Sequence, residues 1–410
     1  MNASMGIYRD ETDVSYAVDF GRDREPTTKR SRHPEYRRKG TAPARVNGIH
    51  CRRSKRWTWG SGRGARMLNM RAFAGSLAFA LATAATSALA VTIPMSQIIT
   101  GSNPGNPAST PAGAGSVSTP FAMAKTETTN SQYLDFLNAV DPNGTNPNQV
   151  YSAGLSGDST NGGIVFTSGA AAGSKYSIRS GSSSTGFGFT NMPVSYVTWF
   201  SAARFANWLH NGQLSGTAGT ASMETGAYTL NNATTGSIVA RNPGALYFLP
   251  SYNEWYKAAF YTGTGSTYLT YATGTNAVPT ATVTNFSLAN QANFSNIAIA
   301  PVAAGSYVNT TSPYGLFEMF GNVGEMTDTA GGSGQYVSVG GGFGATTSAF
   351  NATAAQAFRN TTANNISNGF RVAAVPEPGT IALAGAGIAG LAGIDWLKRR
   401  KRRMAARRVA

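Results

Sequence analysis

The 410-residue chain carries a formal net charge of +15, but residues 1–66 hold a net +9, residues 67–394 a net −1 and residues 395–410 a net +7. Because a nucleic-acid-binding fold would carry its basic surface on the folded body, the nearly neutral centre speaks against that class, and no nucleic-acid partner is expected. The one cysteine, Cys51, and two of the three histidines, His33 and His50, lie in the basic N-terminal segment, leaving His210 alone in the body. No intramolecular disulfide can form, and histidine-rich zinc sites, Cys–His pairs and Ser-His-Asp triads lack their imidazoles.

Residues 1–66 are rich in arginine and show no sustained apolar periodicity, as a basic disordered segment would. Residues 67–90 then read as a signal peptide: RAFAGSLAFALATAATSALA has one positive charge, a short apolar run, and small residues at Ala88 and Ala90 forming an A-x-A cleavage site. Two accounts explain its internal position. Either the start codon is called too early and Met67 or Met70 initiates, or the first 66 residues are a basic extension for nucleic acid or lipid headgroups, to which Trp57 and Trp59 among arginines would contribute.

Residues 91–120, with the Pro/Gly/Ser-rich stretch Thr100–Pro120, read as a linker into the body at 121–374. A capping box at Thr129-x-x-Gln132 opens a helix whose apolar face is Tyr133, Phe136, Leu137 and Val140, and Asp141-Pro142-Asn143-Gly144 stops it. Gly/Ser/Thr/Asn-rich sequence follows, with β-prone islands at 164–166 and 176–178. A second helix, opened by Thr198 and closed at Asn211-Gly212, carries Trp199, Ala202, Ala203, Ala206 and Leu209, and His210 is expected to cap its last carbonyls. Ser251-x-x-Glu254 opens a third, carrying Trp255, Ala258 and Ala259. From about 262 onward, loops and short strands are expected. No fixed internal period indicates a solenoid, so the pattern predicts an irregular α+β fold of short helices and strands.

The C-terminus reads VPEPGTIALAGAGIAGLAGIDWLKRRKRR. Pro376-Glu377-Pro378 breaks regular structure, Thr380–Leu397 is long enough at about 1.5 Å per residue to just span a bilayer, and the Lys/Arg cluster from 398 holds the far end in the cytoplasm. This three-part order, covering 375–403 and followed by a cytoplasmic end at 404–410, resembles the PEP-CTERM sorting signal of Gram-negative bacteria. The resemblance implies an exosortase partner that recognises and removes the tail, and export to the cell surface or extracellular matrix. An ordinary C-terminal membrane anchor is the alternative.

Six landmarks occur in order through the body: ETTN with Tyr133 and Phe136-Leu137, PVSYVTWFSAARFANWL (193–209), FLPSYNEWYKAA (248–259), YGLFEMFGNVGEMTD (314–328), VGGGF (339–343) and NGFRVA (368–373). Together they resemble the sulfatase-modifying factor, or formylglycine-generating enzyme, family. The resemblance implies a C-type-lectin-like fold and, in the oxidising members, a cysteine pair after the Gly-Gly strand that binds copper. Soft thiolates suit Cu(I), and in this chain Ala345 and Phe350 stand near those places, so no copper is expected. Met319 and Met326 read as core residues rather than thioether ligands, and Glu254 as a capping residue rather than a catalyst. The resemblance further implies a Ca²⁺ held by Asn322, the Val323 carbonyl and Glu325, hard oxygen donors on one loop, although Gly324 replaces the usual tryptophan. A second family site, beginning at Asn293-Phe294, has lost its acidic stretch to NIAIAPVAAG. The expected function is an exported, catalytically silent domain that binds an extracellular polysaccharide or peptide or serves a structural role. The alternative is a formylglycine-generating or other oxidoreductase-type enzyme of the same family.

Overall fold

The computed structural model describes residues 90–348 and 350–376. The expected basic disordered segment, the expected signal peptide up to Leu89 with Ala88 of its expected cleavage site, and Glu377, Pro378 and the rest of the tail lie outside the described residues. So does the expected transmembrane helix; among the described residues no helix is long and apolar enough to cross a membrane.

In chain order the described elements are β1 (Met95–Ile98), β2 (Phe121–Ala124), α1 (Asn130–Val140), α2 (Gly154–Gly157), β3 (Ile164–Phe166), β4 (Tyr176–Ile178), α3 (Trp199–His210), α4 (Gly216–Ser222), β5 (Tyr247–Phe248) and α5 (Tyr252–Phe260). Then follow β6 (Thr280–Ala281), β7 (Gln291–Ala292), β8 (Gly324–Gly332), β9 (Gln335–Val339), β10 (Ala357–Asn360), β11 (Asn368–Gly369) and β12 (Ala373–Ala374). Two four-stranded sheets, ordered β1-β2-β12-β5 and β10-β9-β8-β11, carry the body, with two-stranded pairs β3-β4 and β6-β7 beside them. Short helices and strands set in long turns make this an irregular α+β fold of the C-type-lectin-like type.

The local reasons are those the sequence predicts. Thr129 caps α1 through the Gln132 N–H, with Gln132 returning the bond to the Thr129 N–H, and Ser251 and Glu254 repeat the reciprocal arrangement on α5. Each such cap satisfies amide groups that a helix start leaves unpaired, worth about 1 kcal/mol. Thr198 caps α3 through Ser201, and α3 is buried over nearly its whole length. Its Phe205 packs on Phe136 of α1 at 5.6 Å and on Phe370 at 5.4 Å, so the two helices and the strand leading to β12 share one aromatic core. His210 departs from expectation. Its Nδ1 accepts the Leu246 N–H at 2.9 Å, so it ties the end of α3 to the residue before β5 instead of capping α3's carbonyls.

The stretch expected as a linker is folded. β1 pairs with β2 over Met95–Ile98, Asn106 donates to the Tyr256 hydroxyl at 2.7 Å, and Asn103 donates to the Tyr268 hydroxyl at 2.6 Å. The Lys257 ammonium, fully buried, donates to the Thr100 and Gly101 carbonyls at 2.8 and 2.9 Å. Composition suggests a loop, and it is a loop, but one whose polar groups are met by side chains 150 residues or more away. Residues 91–120 are therefore packed into the fold rather than strung as a free linker ahead of it.

Candidate functional site

After β9 the chain turns through Gly340 and Gly341, with φ of +77° and +66°, conformations that glycine adopts without a side-chain clash. A Cβ on Gly341 would lie 2.6 Å from the Ala345 methyl and 2.7 Å from the Phe350 ring. Ala345 and Phe350, the two positions matched to the family's cysteine pair, thus converge on one glycine. The two side chains there are a methyl group and a phenyl ring. Hydrogen bonds hold the loop in place: Phe343 donates to the Asn322 carbonyl, and the Phe343 and Ala345 carbonyls accept from Asn296 and Ser295.

Beside this loop lies a buried polar core. Asn322 adopts the left-handed region, φ +66°, which asparagine tolerates, and this aims its side chain inward. Its Oδ1 accepts the Val302 N–H at 2.8 Å, and its Nδ2 donates to the Glu127 carboxyl at 2.9 Å. Glu325 accepts from the Trp255 indole N–H at 2.7 Å and from Arg371 Nε at 2.6 Å, with a second Arg371 nitrogen on its other oxygen. Arg371 also donates to the Ala124, Lys125 and Phe317 carbonyls, and both ionic partners are completely buried.

The donor set does not fit the Ca²⁺ expected from Asn322, Val323 and Glu325. A guanidinium bonds both oxygens of the only carboxylate among the three, and a second cation there would face Arg371 at close range in a medium that screens little. The Asn322 oxygen is committed to a backbone N–H. Among the described residues no group of three or more His, Cys, Asp or Glu is placed to hold a metal.

Two further carboxyls, Glu127 and Glu318, lie near Arg371. Burial and the neighbouring Glu318 push Glu127 well above the ordinary carboxylate range. Burial pushes Glu318 up to about 7, against the opposing pull of the Gly305 and Tyr307 N–H groups that it accepts.

Glu254 caps α5, as expected, but it does more. Arg241 grips both of its oxygens at 3.0 and 2.7 Å, donates through Nε to Asp328 at 2.7 Å, and stacks 3.7 Å over the Phe248 ring. Arg241 also holds the Glu254 carboxyl below the usual range, outweighing its burial. The motif reading missed this network because Arg241 sits in sequence rich in turn formers, with no pattern linking it to either acid. Met319 and Met326 are buried in the core, as read.

The irregular architecture of short helices and strands is that of a formylglycine-generating-enzyme-like domain. The chain belongs to the sulfatase-modifying factor enzyme 1-like domain family, whose model matches residues 79–375, and a PEP-CTERM protein-sorting motif matches 374–403. Among solved structures, the chain is similar to CarF at 19% identity and TM-score 0.43, over 70% of this chain and 99% of that one. It is similar to Treponema denticola variable protein 1 at 16% identity and TM-score 0.40, over 70% and 96%. PvdO from Pseudomonas aeruginosa matches at 14% identity and TM-score 0.35, over 69% and 92%. No curated protein matches the chain. The sorting motif indicates export in a Gram-negative bacterium, a C-terminal sorting anchor and processing by an exosortase.

Proposed function

We propose that this is a cell-surface or matrix protein whose sulfatase-modifying-factor domain is catalytically silent and works as a binding or structural module. The carrying observation is the convergence of Ala345 and Phe350 on Gly341. A methyl and a phenyl group cannot bind Cu(I), and Cys51, the only thiol in the chain, precedes the signal peptide. Loops rich in Asn, Thr and Tyr would offer hydrogen bonds and aromatic faces to a polysaccharide or an extended peptide. Calorimetric titration of the purified exported chain with the organism's own extracellular polysaccharide is expected to show saturable binding. A flat titration with both polysaccharide and cell-surface peptides would leave only the structural role. Deletion of the exosortase is expected to retain the protein in the inner membrane, and unchanged location would favour a permanent anchor.

A further inference from the structure

The first sheet ends where the sorting tail begins. Register places Ala374 beside both Ala122 and Tyr247, and Gln97 beside Ala122. One step further along, Ile98, Phe121, Val375 and Leu246 therefore share one end of the sheet, where the Val375 N–H donates to the Leu246 carbonyl at 3.0 Å. Large apolar side chains project there into solvent: Ile99 is 67% exposed, Leu246 53% and Val375 48%. His210 at the end of α3 bonds Leu246.

This end carries almost no free charge. Residues 90–124, 211–223, 242–253 and 372–376 contain no Asp, Glu, Lys or Arg. Arg241, in the adjoining groove with Pro120, Pro243 and Val375, is not free but ion-paired to Glu254 and Asp328. An uncharged face tipped with exposed aliphatic side chains is suited to the boundary between headgroups and acyl chains, where apolar area leaves water without desolvating ions.

The tether keeps this end within reach of the bilayer. Five residue steps separate Val375 from Thr380, the start of the apolar run, a span of at most about 17 Å. The headgroup layer occupies roughly 5–7 Å of it. We infer that this sheet end is the domain's membrane-facing surface, and that while the tail is uncut Ile99, Leu246 and Val375 rest against the lipid headgroup layer. The inference rests on reading 380–397 as a membrane-inserted tail. It holds the Pro-Glu-Pro motif at the interface, where a membrane-embedded protease works. It also turns the Glu127–Asn322 core, beyond the other end of β2, away from the bilayer.

The exported chain from residue 91 contains no cysteine, so single labels report cleanly. Ile99→Cys, Leu246→Cys, Val308→Cys and Ile388→Cys variants would each carry one fluorophore in vesicles of phosphatidylcholine and phosphatidylethanolamine bearing spin-labelled lipids. Val308, 61% exposed, is the control: it follows Tyr307, whose N–H bonds Glu318, and Glu318 follows Phe317, which bonds Lys125 beyond the other end of β2. Headgroup quenching at 99 and 246 is expected to exceed that at 308 at least threefold, with acyl-chain quenching at 388. Equal quenching at 99, 246 and 308, or none at 99 and 246 while 388 is quenched, would overturn the proposal. No quenching at 388 would overturn the tail reading and the proposal with it. Shielding of 99 and 246 without vesicles, dependent on protein concentration, would assign the face to a second copy and also overturn it.

Discussion

Replacing Arg371 with methionine is expected to be among the costliest single changes in this domain. The guanidinium neutralises Glu325 and satisfies the Ala124, Lys125 and Phe317 carbonyls, all without solvent. Truncating one partner of a buried pair strands the other charge, at about 3–5 kcal/mol. That is a large share of the roughly 5–15 kcal/mol by which domains are stable, and at about 2–4 °C per kcal/mol it would lower the melting temperature by roughly 10 °C. Urea unfolding of parent and variant at pH 7 gives the assay. Adding Glu325→Leu to the variant should recover more than half of the loss, since the stranded charge is gone. A loss below about 1 kcal/mol, or a loss restored by added Ca²⁺, would refute the view that Arg371 is the resident cation of this core.

The remaining predictions concern the same polar framework. Glu318 is raised from an ordinary 4.5 to about 7 and Glu127 is raised as well, so the folded state binds protons more tightly than the unfolded chain. Their contribution is present in full below about pH 4.5 and is lost as pH rises through about 7, on the order of 3 kcal/mol for Glu318; Glu318→Gln should flatten melting curves between pH 5 and 8, and stability rising through that window in the parent would contradict this. Arg241→Ala, which leaves Glu254 and Asp328 facing each other, should cost about 2 kcal/mol in urea unfolding, moderated by the partial exposure of Arg241. Chelation should leave the melting temperature within a degree or so, because the Asn322–Glu325 donors are committed within the protein; a clear drop would restore a metal to the fold.

The three principal helices were legible because each combines a side-chain cap with an apolar face, signals carried by neighbours in sequence. Thr129, Thr198 and Ser251 all cap in the structure as expected. What lies beyond neighbours was not legible. Asn103 and Asn106 look like turn residues, and only the distant Tyr268 and Tyr256 make them part of the core. Strand β8 escaped because buried Glu325 and Thr327 and half-buried Asp328 blur the apolar alternation of a strand. Glu325 suggests a cation ligand on its own loop, whereas its cation is Arg371, 46 residues on. The glycine loop was legible in part: the landmark aligned Ala345 and Phe350, and the fold shows that both reach Gly341.

The most direct test of the silent-domain reading is product mass. The purified exported chain from residue 91 would be incubated with a sulfatase-type cysteine peptide, Cu(I) and oxygen, and the peptide weighed for conversion of thiol to aldehyde. The absence of any thiol from residues 91–410 predicts no conversion above a no-protein control. Turnover above that control would contradict the account at its centre.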